Sequence, residues 1–207
     1  MSSKTGEKSF VIRIYIVALI LRLIPILLSR GLGIGLDDMF QYDMLARSLA
    51  AGNGFRWYAQ QDLDLIAPYV NIDLSTVVYD PIRGVPTSFR APLYPSFLAL
   101  VYFIVGSDSS RFFAARLAQA ILLGAPLAPL TYLVSRRLFP PLPSGVAPER
   151  AARISAWVIA CYPMLLVYPL GLGTENPFFV LLLVSFLFLL QSIEHPSASR
   201  LLPPALS

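Results

Sequence analysis

Two adjacent carboxylates, Asp37 and Asp38, leave a glycine-rich turn, Gly31-Leu32-Gly33-Ile34-Gly35, directly after the first long apolar run. An Asp ahead of a helix ordinarily caps it, accepting from the first free N–H groups. One cap needs one Asp, so a second carboxylate is left over, open to catalysis or to a ligand. Further on, Arg90 stands at the mouth of another apolar segment, where a guanidinium binds phosphate oxygens bidentately. A flanking Arg at the membrane interface is the structural alternative there. Glu175, within Gly173-Thr174-Glu175-Asn176-Pro177, is a further acid ahead of an apolar helix.

The elements that must position these groups follow from periodicity. Tyr42, Leu45, Ala46 and Leu49 recur at helical spacing, and Gly52-Asn53-Gly54 supplies a stop. The pattern predicts a helix lying in the membrane interface with the acidic pair at its N-terminal tip. It belongs to a long external loop, residues 31–90, that also holds Asp43, Asp62, Asp64, Asp73 and Asp80. Phe55, Trp57, Tyr58, Tyr69, Tyr79 and Phe89 are interleaved with the acids. Carboxylates and aromatic faces suit a sugar-handling surface, and they suit an ordinary interfacial belt equally well. A loop of this length commonly carries function.

The 207 residues are 56% hydrophobic and 14% charged, with a mean hydropathy of +0.66. A soluble domain averages about 25% charged residues, so the sequence predicts an all-α, polytopic integral membrane protein, a single membrane domain over residues 1–207. Residues 10–29 form the first span and residues 93–105 a short or re-entrant helix. Residues 112–133, 156–172 and 178–193 complete about four or five spans, and residues 194–207 form a tail. Pro126 and Pro129 should kink the segment 112–133. Arg22, well inside the first span, is expected to snorkel to the interface.

Lys4 and Lys8 before the first span, and Arg136, Arg137, Arg150 and Arg153 around a later loop, place those parts in the cytoplasm by the positive-inside rule. Residues 31–90 and 174–176 then fall outside, provided that 93–105 does not cross completely. The net charge of +4 speaks to topology and membrane lipids rather than to nucleic acid. The lone Cys161 excludes an internal disulfide, and the lone His195 is a poor basis for a metal site.

The motifs form an ordered series. After the acidic pair come Tyr42, Ala46, Leu49, Gly52, Gly54 and Phe55, then Arg90-Ala91-Pro92-Leu93-Tyr94-Pro95, Ala115-Arg116-Leu117 and Arg136-Arg137-Leu138-Phe139, and finally Thr174-Glu175. The series resembles the N-terminal part of a GT-C-type membrane glycosyltransferase, in the group of the protein O-mannosyltransferases and lipid A aminoarabinose transferases. It runs from about residue 10 to 192.

The resemblance implies inverting transfer of a sugar from a polyprenyl-phosphate donor to an acceptor outside the cytoplasmic membrane, the acceptor being a protein, lipid or glycan. It implies a catalytic base at Asp37 or Asp38; Asp37 is preferred, leaving Asp38 to cap the helix. Arg90, Tyr94 and Glu175 fall at substrate-binding positions, with Glu175 open to sugar hydroxyls, the acceptor or a divalent metal ion. Such enzymes carry further spans and often a C-terminal external domain, so the resemblance implies a truncated chain, inactive alone. A non-enzymatic membrane subunit and an inactive remnant are the alternatives.

Overall fold

The computed structural model describes residues 2–138 and 148–194. The first apolar run folds as α1 (Ser2–Leu28). After the glycine-rich turn come α2 (Asp38–Ala50), β1 (Arg56–Trp57), α3 (Gln60–Ile66), β2 (Val85–Pro86) and α4 (Leu93–Val105). A helical stretch then runs through α5 (Arg111–Gln119), a π-helical turn (Ala120–Gly124) and α6 (Leu127–Leu138). The chain continues with α7 (Pro148–Cys161), the short α8 (Pro163–Val167), a 3-10 turn (Tyr168–Leu170) and α9 (Glu175–Glu194). The expected tail, with His195, lies outside the described residues.

Among the described residues three helices are long and apolar enough to cross a membrane: Gly6–Leu28, Arg111–Leu138 and Glu175–Glu194. A fourth crossing is available if Pro148–Cys161 and Pro163–Leu170, bent by 52°, act as one broken span. The protein is therefore mostly helical and membrane-associated. Among the described residues the exception to the all-α expectation is a two-residue antiparallel ladder, Arg56 opposite Pro86 and Trp57 opposite Val85. Gly84 turns the chain into it at φ +74°, where a Cβ would collide with the Trp57 carbonyl.

Two spans differ from expectation. The segment 156–172 begins earlier, at Pro148, and breaks after Cys161. Pro163 has no N–H to give the Ile159 carbonyl, so the helix cannot run through. In the segment 112–133 the irregularity precedes Pro126, as the π-helical turn over Ala120–Gly124. Pro126 and Pro129 cannot donate to the carbonyls four residues back, and the ladder widens one turn ahead of them.

The described residues divide into two compact units. One unit combines residues 2–22, 121–138, 148–166 and 176–194. Its core is Ile14 and Ala18 of α1, Ala128 and Tyr132 of α6, and Ala152, Ala156 and Ala160 of α7. The alanines recur every four residues, a small-residue stripe that lets helices approach closely. At one end of this unit Arg136 pairs with Glu7, Arg137 with Glu194 at 3.3 Å, and the Tyr132 hydroxyl donates to Glu149 at 2.9 Å. The N-terminal ends of α1 and α7 and the C-terminal ends of α6 and α9 thus lie together.

Arg22 belongs to the same unit, and it does not snorkel. It is fully buried, donating to the carbonyls of Ala18 (3.0 Å), Ile159 (3.3 Å) and Ala160 (3.4 Å). The Ile159 carbonyl is the one Pro163 leaves without a helical donor, so the break in the fourth span and the buried guanidinium satisfy one another.

The second unit, residues 23–120 and 167–175, contains the long loop. Tyr42 and Ala46 of α2 pack against Tyr94, Leu98, Ala99 and Tyr102 of α4, with Ala115 and Leu172 closing the cluster. Phe40 and Met44 on another face of α2 meet Ile66 of α3. At thirteen residues α4 covers about 20 Å, short of the roughly 30 Å of hydrocarbon.

Arg22→Leu should cost about 1–3 kcal/mol, the penalty for an orphaned buried carbonyl. Adding Pro163→Ala should recover part of that loss, because the restored N–H takes the Ile159 carbonyl. Thermal unfolding of both single variants and the double variant in detergent checks the coupling; strict additivity would refute it.

Candidate functional site

The N-terminal tip of α2 divides its two carboxylates between two tasks. Asp37 is the N-cap, its Oδ1 accepting from the Met39 N–H at 2.9 Å. Asp38 pairs with the Arg90 guanidinium. This reverses the expected division, in which Asp38 caps. The reason is the chain direction: Asp37 still has non-helical backbone angles, which a cap requires, whereas Asp38 is already inside the helix. At the other end Gly52, at φ +74°, follows the C-cap Ala51. The Gly52 N–H donates to Leu49 and the Asn53 N–H to Ser48, so the last carbonyls are satisfied by a Schellman turn.

Arg90 is held on three sides. Its Nε donates to Gln41 Oε1 at 2.8 Å, its Nη2 meets Asp38, and its plane lies 5.2 Å from the ring centroids of both Tyr42 and Phe89. Its side chain is 20% exposed against 65% for that of Asp38. The pair thus consists of a fixed, half-buried cation and an open carboxylate. Phe89 stands 5.6 Å from Trp57, which is 4.9 Å from Tyr58. Tyr58 and Tyr69 line a cavity of about 400 Å³ beside Gln41 and Phe40. Of the expected aromatic series, Trp57, Tyr58, Tyr69 and Phe89 gather around Arg90 and Gln41, while Phe55 and Tyr79 take no part.

Tyr94 lies a layer deeper. It is 1% exposed, its ring meets Tyr42 edge-on at 5.1 Å, and its hydroxyl donates to Gln119 Oε1 at 2.5 Å. It touches the Arg90 site through Tyr42 rather than opening onto it. Glu175 is exposed at the start of α9, its carboxylate curled back over Gly173, where a side chain would clash. Its charge acts on the Tyr94 hydroxyl. Among the described residues no hydrogen bond or ion pair joins Glu175 to Asp37, Asp38 or Arg90, and no three His, Cys, Asp or Glu side chains converge as a metal site.

Two groups that hold this site have no role in the sequence-based expectations. Asp43, an acid in the amphipathic pattern, is 1% exposed. Its Oδ1 accepts from the Tyr102 hydroxyl (3.0 Å) and Arg111 Nε (2.8 Å), and its Oδ2 from Arg47 Nε (2.8 Å) and Arg111 Nη2 (3.0 Å). Arg47 extends the network to Asp62 of α3 at 2.6 Å. Burial alone would push the Asp43 carboxyl up, but the Arg111 hydrogen bond and the Arg47 and Arg111 charges hold it below the ordinary carboxylate range. The four-residue spacing of Asp43 and Arg47 is the signal that the sequence offered. Arg111 follows α4 and returns to α2, so residues on both sides of the short helix meet in one network.

The second group is Arg116 with Gln119. Arg116, 1% exposed, donates to the carbonyls of Leu32, Gly33 (2.7 Å) and Leu170 (2.9 Å). Gln119 Nε2 donates to Pro169 (3.0 Å) and Gly171 (3.2 Å). Together they fasten the loop leading to Asp37 and the loop leading to Glu175 to one helix, α5.

The chain matches no protein-family model, no curated protein and no solved structure. Function therefore rests on the residues themselves.

Asp43→Asn should destabilise the protein by about 3–5 kcal/mol, the cost of breaking a buried ion pair. Because the Asp43 pKa is lowered on folding, its contribution is complete above the unfolded value of about 3.9 and is lost as pH falls through the folded value. The variant's unfolding temperature should accordingly fall less steeply on acidification than the parent's. At the helix tip, Asp37→Ala should cost about 1 kcal/mol and Asp37→Asn close to nothing. A large loss in Asp37→Asn would show that its carboxylate does more than cap.

Proposed function

We propose that this chain carries the donor-binding and proton-accepting face of a GT-C-type membrane glycosyltransferase. It would move a sugar from a polyprenyl-phosphate donor to an acceptor on the non-cytoplasmic side of the cytoplasmic membrane. The observation that carries the proposal is the Asp38–Arg90 pair, a fixed guanidinium beside an open carboxylate on an aromatic shelf. Lys4, Lys8, Arg136, Arg137, Arg150 and Arg153 set the orientation, with the end they occupy in the cytoplasm.

In this reading the donor phosphate takes the Arg90 guanidinium and displaces Asp38 from it. The acceptor hydroxyl attacks the anomeric carbon, the bond from that carbon to the phosphate oxygen breaks, and the electron pair leaves with the phosphate. Arg90 neutralises the charge that develops there. The freed Asp38 carboxylate accepts the acceptor proton. The sugar ring rests against Trp57, Tyr58 and Phe89, with the Gln41 amide and Tyr58 hydroxyl as its polar contacts. Asp37 caps, Tyr94 supports Tyr42 from beneath, and Glu175 is the acid left for the acceptor or for a metal ion.

Donor binding to the reconstituted chain is read with a radiolabelled farnesyl-phosphate sugar, and transfer with the chain joined to the further spans that the resemblance implies. Arg90→Gln should weaken donor binding about tenfold or more, since a charge-assisted bidentate contact is lost. Asp38→Asn should bind donor as well as the parent and turn it over about 10²–10⁴-fold more slowly. Donor binding indifferent to Arg90→Gln, or turnover indifferent to Asp38→Asn, would overturn the assignment.

A further inference from the structure

Lined in part by Trp57, a cavity of about 270 Å³ opens between α2, β1 and the turn before Gly84. Arg47, Arg56 and Arg83 all line it, together with Asn53, Gln61 and Asp62. Part of this polar set is already engaged. Arg47 and Asp62 bond each other and, with Asp43 and Arg111, form a network whose charges cancel. Arg56 uses only Nη1, on the Gly84 carbonyl at 3.0 Å.

The remainder is uncommitted. Among the described residues the side chains of Arg83, Asn53 and Gln61 make no hydrogen bond, and Nε and Nη2 of the Arg56 head are unspent. Asp80, whose charge acts on Arg56 and Arg83, has its Oδ1 engaged by the N–H groups of Ile82 and Arg83. Arg56 and Arg83, the latter exposed at the rim, bring two positive charges to one open cleft, where an anion is favoured. Two side-chain amides beside them supply the donors and acceptors that hydroxyl groups need. Trp57, lining the same space, offers a ring face.

We infer that this cavity binds a small phosphorylated, hydroxyl-rich molecule, a sugar phosphate, through Arg56 and Arg83 with Asn53 and Gln61 on its hydroxyls. The site shares Trp57 with the Arg90 shelf but draws on different cations, and it does not depend on the transferase assignment. Free phosphate and a phospholipid headgroup share part of the chemistry, and the test separates them.

The chain has two tryptophans, so Trp157→Phe leaves Trp57 as the sole reporter. In that background, in neutral detergent, glucose 1-phosphate should produce a saturable change in Trp57 fluorescence, and glucose should produce none. Arg56→Gln and Arg83→Gln should each weaken binding about tenfold, and should do so equally in an Arg90→Gln background, where the shelf no longer takes the phosphate. Arg83 is exposed, so its variant keeps the fold, which an unchanged unfolding temperature verifies. An absent response, an equal response to glucose, or indifference to Arg83→Gln would overturn the inference. Inorganic phosphate binding as tightly, or phosphatidylglycerol nanodiscs producing the change without sugar phosphate, would overturn the sugar-phosphate assignment.

Discussion

The buried carboxylate of Asp43 is the constraint on which the loop unit depends. A carboxylate has about four lone-pair sites, and Tyr102, Arg111 twice and Arg47 fill them. Removing this charge from water is expensive, and only a complete donor set makes it tolerable. The donors come from α2 itself, from α4 and from the start of α5, so burying the carboxylate fixes those three helices at once. Through Arg47 and Asp62 the same network reaches α3. The Arg90 shelf stands on that framework, because its Tyr42 neighbour is adjacent to Asp43 and packs on α4.

A second regularity concerns broken backbone. Irregular chain in apolar surroundings exposes carbonyls that no water can satisfy. Among the described residues several such breaks are met by buried side-chain donors. Arg22 takes the carbonyls before Pro163, Arg116 takes Leu32, Gly33 and Leu170, and Gln119 takes Pro169 and Gly171. Among the described residues neither Arg22 nor Arg116 has a carboxylate partner, and their charges rest on carbonyl dipoles. The loops bearing Asp37 and Glu175 are thereby held by α5 without the acids themselves being used as fasteners.

That arrangement leaves the carboxylates near the surface available for chemistry. Asp38 is engaged by a single cation and stays open to solvent, and Glu175 is exposed beyond the loop that α5 holds. A surface whose supports are buried and whose carboxylates are open needs little rearrangement to accept a ligand. Arg90 is the link between the two layers, gripped by Gln41, Tyr42 and Phe89 while facing an exposed acid.

Length and hydropathy alone determined the helical membrane character, the short α4 from Leu93 to Val105, and the helix behind the acidic pair with its stop at Gly52. These follow from local propensity and periodicity, which act within a few residues. Partner choice does not. Asp37 and Asp38 are equivalent in the sequence, and which one caps was decided by where the backbone turns helical and by Arg90 arriving from 52 positions away. Arg22 was expected to reach for water; a carbonyl freed by Pro163, on a distant helix, gave it a buried partner instead. Asp43 looked like one acid of a polar loop, and Tyr94 fell at a substrate-binding position of the resemblance, but packing puts both side chains in the interior. Which polar side chains are buried, and against what, is set by long-range contacts, and these only the tertiary structure supplies.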